Sequence, residues 1–238
     1  TGGHPVAPCK KIRVARSAAA VTAHVAATAR RQLDIPAGHV PEHRRCRKVA
    51  MDQSRAHRII SDYSQPLADF LRDTERAELE RAGSEAIDRW KDSTLPGAVA
   101  PTELGGEGAS LDDMITLQSA LGYFSPSLAA ATTMHHLSML SLVDFGQSTT
   151  DEDDRETVIA LISSHAVLAS AFSESIPGGS VFAPSMTGRP GDDDGDGAEA
   201  TVVLDGRKAP CSLSHSMDFL MASYLDSSER RAVALVPA

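Results

Sequence analysis

The chain has 238 residues, 42% of them hydrophobic and 23% charged, with a formal net charge of −9. That is enough chain for one large or two modest domains with a real core, and the ordinary apolar content excludes a wholly disordered protein. No run is long and apolar enough to cross a membrane as a helix, and Cys9, Cys46 and Cys211, which form no C-x-x-C pair, point to a reduced, cytoplasmic setting rather than a disulfide framework.

The charge is unevenly spread. Residues 1–50 carry ten Lys or Arg against only Asp34 and Glu42, together with four of the nine His. The remainder is strongly acidic and lacks the basic footprint of a nucleic-acid partner. Residues 1–50 have three readings: a basic disordered tail, an organelle (mitochondrial) transit peptide, or an extension outside the native coding sequence. The sharp compositional break beside Met51 favours the third.

From residue 51 to 166 the pattern is helical. Ile59, Ile60, Tyr63, Leu67, Phe70 and Leu71 recur at helical spacing, with Pro66 bending or restarting the helix. Leu79, Ala82, Ala86, Ile87 and Trp90 form a second amphipathic face. Two prolines and four glycines between Leu95 and Ser110 exclude a long helix or strand there. Ser110 is a suitable N-cap, with Asp112 and Asp113 in the first turn that follows. Ser125-Pro126 pairs an N-cap with Pro at the first helical position. The helix after it is rich in small residues and carries His135-His136. Asp151–Asp154 opens a further helix.

From Val167 the period shortens. Candidate strands are Val167–Ser173, Ser180–Ser185, Ala198–Leu204, Lys208–Ser212, Phe219–Leu225 and Ala232–Val236. Asp205-Gly206 is the strongest hairpin signal. No βαβ alternation appears, which argues against a Rossmann domain. The expected class is α+β: a helical bundle over 51–166, then a small antiparallel sheet or barrel over 167–238. Between the two lies Ala171–Ser180, with a hydroxyl, a carboxylate and Pro-Gly-Gly-Ser. Such a loop is either a plain turn or a concavity of backbone amides suited to an anionic cofactor.

Other constellations are weaker. Asp192, Asp194, Asp196 and Gly197 match the opening of a calcium loop, but Val203 stands where the bidentate Glu belongs, so a solvated insertion is the better reading. His135 and His136 are adjacent on a helix and point apart, which disfavours a metal pair; no metal site is expected. A hydrolase elbow is missing, since Ser180 follows Pro-Gly-Gly.

Three segments in order resemble the acyl-CoA dehydrogenase family. Pro101-Thr-Glu-Leu-Gly-Gly-Glu-Gly108 is similar to its Pro-x-x-x-Gly-Gly-x-Gly loop. Ala171-Phe-Ser-Glu-Ser175 with Gly178-Gly179-Ser180 is similar to its Ala-Leu-Thr-Glu-Pro-x-x-Gly-Ser-Asp. Gly206-Arg-Lys-Ala-Pro-Cys-Ser212 with Met217-Asp218 is similar to its Gly-x-Lys-x-Trp-Ile-Thr followed by Ala-Asp. The resemblance covers about 56–238 and implies FAD. Ser173 would take the place of the threonine that hydrogen-bonds the flavin ring, and Phe172 would pack beside it. Gly178, Gly179 and Ser180 would meet the pyrophosphate, and Ser212 would stand for the threonine near flavin N5. Pro210 occupies the place of the family's flavin-covering Trp. The family's C-terminal helical bundle, which carries the usual catalytic carboxylate, has no counterpart here, so the chain reads as truncated and its catalytic base is unknown. The first expectation is oxidation of an acyl-CoA or related thioester by a form that is homo-oligomeric when intact. Arg207-Lys208 and Ser212–Asp218 also look like the flavin-dependent monooxygenases of this fold. A non-catalytic binding module is the third reading.

Overall fold

A computed structural model of the chain describes residues 51–174, 183–191 and 202–238. Among these residues the helices fill 53–163 and the strands begin at 168.

The helices start where the sequence supplies caps. In α1 (Gln53–Ser61), Asp52 accepts the Arg55 N–H at 2.8 Å. Ser64 caps α2 (Gln65–Asp73), whose second residue is Pro66, so the proline restarts the chain as a new helix. The second amphipathic face is interrupted. It is divided between α3 (Arg76–Leu79) and α4 (Ala86–Lys91), because Gly83 takes φ +76° and breaks the helix between them. Two 3-10 turns, Leu95–Gly97 and Thr102–Leu104, follow. Ser110 and Asp113 form a reciprocal capping box at the start of α5 (Leu111–Phe124). Ser125 caps α6 (Pro126–Ser148) through the Leu128 N–H, and Asp151 caps α7 (Glu152–Ser163). Glu80 accepts from the Ser125 and Ser127 hydroxyls, so a carboxylate sits at the positive end of the 23-residue α6.

The strands are β1 (Leu168–Ala171), β2 (Thr187–Pro190), β3 (Val202–Asp205), β4 (Phe219–Leu225) and β5 (Arg231–Pro237). The sheet is mixed, correcting the antiparallel expectation. β1 runs parallel to β4, from Leu168 opposite Phe219 to Ala171 opposite Ala222. β2 meets β4 in parallel only at Thr187 and Leu225. The β2–β3 and β4–β5 pairs are antiparallel. Closely spaced turn signals suggest hairpins, but β1 pairs with a strand 48 residues or more further along the chain, and turn chemistry does not reveal that choice.

Two further expectations are corrected. Asp205-Gly206 makes no hairpin to 208–212, since β3 pairs instead with the preceding β2. Residues 208–212 form no strand: Pro210 has no N–H to give a ladder, and the Ala209 N–H is taken by the Ser173 carbonyl at 3.1 Å. A tight hairpin joins β4 and β5. There Asp226 accepts the Ser228 and Arg230 N–H groups at 2.8 and 2.9 Å and ion-pairs with Arg230. Of the expected strand Ser180–Ser185, only 183–185 fall within the described residues, and the strand itself begins at Thr187.

One core joins helices and sheet. Ile60, Leu71, Trp90, Leu117, Leu142 and Ile162 share it with Leu168 of β1, Met221 of β4 and Val233 of β5. A smaller cluster of Tyr224, Ala232, Ala234 and Val236 covers the other face, so β5 alternates between the two. Each fully buried Leu or Ile contributes about 1.5–3 kcal/mol.

Candidate functional site

The site grows from the C-terminal end of β1. The parallel pairing of β1 with β4, backed by α6, brings Phe172 and Ser173 out at the edge of the shared core, with Phe172 packed against it. The Ala209 N–H then donates to the Ser173 carbonyl. That bond ties the irregular segment 207–213, which carries Pro210 and Ser212, to the exit of β1 at Ser173. Ser173 and Ser212 are half-buried, and their hydroxyls donate no hydrogen bond among the described residues. Pro210 is exposed. Gly178, Gly179 and Ser180 lie outside the described residues, as does Asp192–Gly197 of the calcium-like loop. Two quoted motifs therefore converge, and the glycine part of one is not described.

Behind the serines is a feature the reading of individual site residues missed. The Glu174 carboxylate and Lys208 ammonium meet at 2.6 Å with side chains only 5% and 4% exposed. Glu174 also accepts the Ser185 N–H at 2.9 Å, the Met186 N–H at 3.2 Å and the Ser185 hydroxyl. Lys208 donates to Ser223 Oγ on β4 at 3.0 Å. Burial alone would push the Glu174 carboxyl up. The hydrogen bonds from Lys208, Ser185 and the two backbone amides outweigh that and hold it at about 2. Both residues stand inside the quoted motifs. The available signal was a lone Glu set among small and apolar neighbours at Phe172–Ile176, and a Lys followed by Ala-Pro in the second motif.

A second anchor fixes the start of β4. Asp218 accepts the Val167 N–H at 2.8 Å and pairs with Lys91 of α4 at 3.2 Å. Lys91 also donates to the Ser216 carbonyl. The segment 207–218 is thus held at both ends.

The Pro101–Gly108 loop is a packing device. A Cβ on Gly106 would stand 2.2 Å from the Ala100 carbonyl oxygen, and Gly105, at φ +87°, lies against Ser163 at the end of α7. Its glycines let two turns and a helix end close on one another.

His135 is a buried joint. The Leu168 N–H donates to its Nδ1 at 3.0 Å, so Nε2 carries the proton and donates to the Pro96 carbonyl at 2.8 Å. The imidazole bridges α6, a 3-10 turn and β1. Burial lowers its pKa to about 4, against the opposing effect of the hydrogen bond to the Pro96 carbonyl. His136 is also buried, with neither ring nitrogen hydrogen-bonded, and burial followed by the nearby His135 lowers it to about 3. The two rings and Trp90 form an edge-to-face cluster with centroids 5.1–5.8 Å apart. Among the described residues no group of three His, Cys, Asp or Glu is arranged for a metal ion. No described helix is long and apolar enough to cross a membrane.

No family model matches the chain. Over 163 residues, 66% of its length, it is 34% identical to an isobutylamine N-hydroxylase from Streptomyces viridifaciens, and it spans 41% of that curated relative. Among solved structures, FMN-bound TdsC from Paenibacillus sp. A11-2 superposes with a TM-score of 0.59 at 24% identity, covering 77% of this chain and 44% of that one. FkbI, a protein of methoxymalonyl extender-unit biosynthesis, gives 0.56 at 25% identity over 73% and 46% of the two chains. Methanesulfinate monooxygenase MsuC from Pseudomonas fluorescens gives 0.54 at 19% identity over 79% and 43%. The helices and mixed sheet therefore have the acyl-CoA dehydrogenase-like fold that these proteins share, and the chain spans less than half of each.

Proposed function

We propose that this chain forms part of a flavin-dependent monooxygenase site that uses externally reduced flavin and molecular oxygen. The observation that carries the reading is its 34% identity to an amine N-hydroxylase. The named relatives include oxygenases, so they favour the monooxygenase reading over acyl-CoA dehydrogenation. A small primary amine is the first substrate class to assay.

The residues fit a flavin ring. Two half-buried hydroxyls without partners among the described residues, Ser173 and Ser212, sit on segments joined by the Ala209–Ser173 bond, and a flavin ring offers carbonyl and ring-nitrogen acceptors to such donors. A bound reduced flavin supplies two electrons to O2, so that one oxygen atom enters the substrate and the other leaves as water. The chain's own part is to bind and orient. Ser173 and Ser212 would donate to the ring and Phe172 would pack beside it, while the family resemblance assigns the phosphate to Gly178, Gly179 and Ser180. An exposed Pro210 would cover a bound ring less than a Trp, which would suit exchange of a flavin reduced elsewhere. FAD was the first expectation; TdsC holds FMN, and both belong in the test.

The experiment supplies purified protein with FMN or FAD, a separate flavin reductase, NADH, oxygen and isobutylamine, and follows the hydroxylamine by mass spectrometry. Product that requires reductase and oxygen supports the proposal. Anaerobic bleaching of bound FAD by an acyl-CoA, without reductase, would return the reading to dehydrogenation.

A further inference from the structure

We propose that the buried Glu174–Lys208 ion pair is a positioning latch that sets the spacing of the two segments presenting Ser173 and Ser212. This rests on the flavin reading above, because the two hydroxyls are what the latch holds in place.

The pair gathers four parts of the chain. Glu174 directly follows Ser173 at the exit of β1 and reaches the lead-in to β2 through Ser185 and Met186. Lys208 lies just beyond β3 and reaches Ser223 in the middle of β4. The Ala209 N–H, next to Lys208, holds the Ser173 carbonyl. The ion pair and this backbone bond are two parallel ties between the same segments, fixing both their separation and their rotation.

Stability does not explain why two charges are buried here. Removing both from water costs several kcal/mol per ion, and apolar pairs of similar volume often serve as well or better. What a matched ion pair supplies is direction. Lys208 approaches Glu174 Oε1 at 2.6 Å while Ser185 and Met186 occupy the remaining lone pairs, so the carboxylate has one satisfied orientation. An apolar pair at the same place would slide. Because Ser173 and Ser212 stand one and four residues from the latch, a shift of about 1 Å in either segment would misplace a hydroxyl relative to a ring held by both.

The test compares the wild-type chain with Glu174→Gln and with the double variant Glu174→Gln, Lys208→Met. Three quantities are read: melting temperature, amide exchange at Ser185, Met186 and Ala209, and the dissociation constant for FMN and FAD by flavin fluorescence. In the double variant, which has no unpaired buried charge, the melting temperature stays within a few degrees, exchange at the three amides rises at least tenfold, and the flavin dissociation constant rises at least tenfold. Glu174→Gln, which keeps one acceptor oxygen but leaves the Lys208 charge unpaired, moves both in the same direction. Unchanged flavin affinity in the folded double variant overturns the proposal, as does unchanged exchange. A double variant that does not fold makes the pair a folding element and overturns it equally. If the wild-type chain binds neither flavin, the functional reading fails, and the flavin-positioning role falls with it; the exchange result then shows separately whether the ion pair ties the segments.

Discussion

His136 and His135 are neighbours in sequence and opposites in chemistry. Both nitrogens of His135 are used, while both of His136 are buried without partners. Replacing His136 with Leu removes two unsatisfied polar atoms, and chemical denaturation is expected to show the protein unchanged or more stable by up to about 2 kcal/mol. Replacing His135 with Leu strands the Pro96 carbonyl and Leu168 N–H, and is expected to cost about 2–5 kcal/mol on the same measurement. The pair also sets a pH dependence. Both histidines are neutral and buried when folded, with pKa values lowered to about 4 and about 3, against about 6.5 when unfolded. Between those values the unfolded chain binds more protons. Their contribution is therefore complete above pH about 6.5 and declines as pH falls toward 4 and 3. Glu174, held at about 2, adds a second loss that begins only below about 4.5. Melting temperature should thus begin to fall below about pH 6.5, and His136→Leu should make that first decline shallower.

Elements are fixed by their ends as much as by their faces. Ser125 caps the 23-residue α6 and donates to Glu80, so Ser125→Ala is expected to cost about 1–2 kcal/mol in denaturant unfolding. Gly106→Ala would drive a methyl into the Ala100 carbonyl and is expected to cost about 1–3 kcal/mol, with α7 loosened where Ser163 meets the same loop. Much of this level was legible in the sequence. Caps at Ser110 and Ser125, the helix opening at Asp151–Asp154 and the restart at Pro66 are local chemistry, and each appears where read. β4 and β5 were also legible, because alternation is local. Pairing was not, since β1 finds β4 across most of the sheet domain and no turn signal encodes that distance. Residues 208–212 look like a strand, but their amide and ammonium groups are spent on Ser173 and Glu174, which only the folded chain brings near.

At the scale of the whole molecule, the three motif segments separate into different tasks. Pro101–Gly108 closes the helical layer on α7. Asp218 ties the start of β4 to β1 and α4. Ser173–Glu174 and Lys208–Ala209 meet through an ion pair and a backbone hydrogen bond, and the proposed flavin site is built on them. The order of these segments was readable from sequence and suggested the fold, while the meeting of the β1 exit with Lys208 and Ala209 required the folded sheet. The reaction was less legible, because an acyl thioester oxidase and a flavin monooxygenase draw on the same loops, and this chain spans less than half of its relatives. The most direct measurement is an anaerobic equilibrium titration of reduced FMN and FAD into the purified chain and into its Ser173→Ala, Ser212→Ala variant. The proposed site predicts saturable binding to the wild type and at least a tenfold weaker constant in the variant, at an unchanged melting temperature. Binding of neither flavin, or equal binding to both proteins, would contradict it.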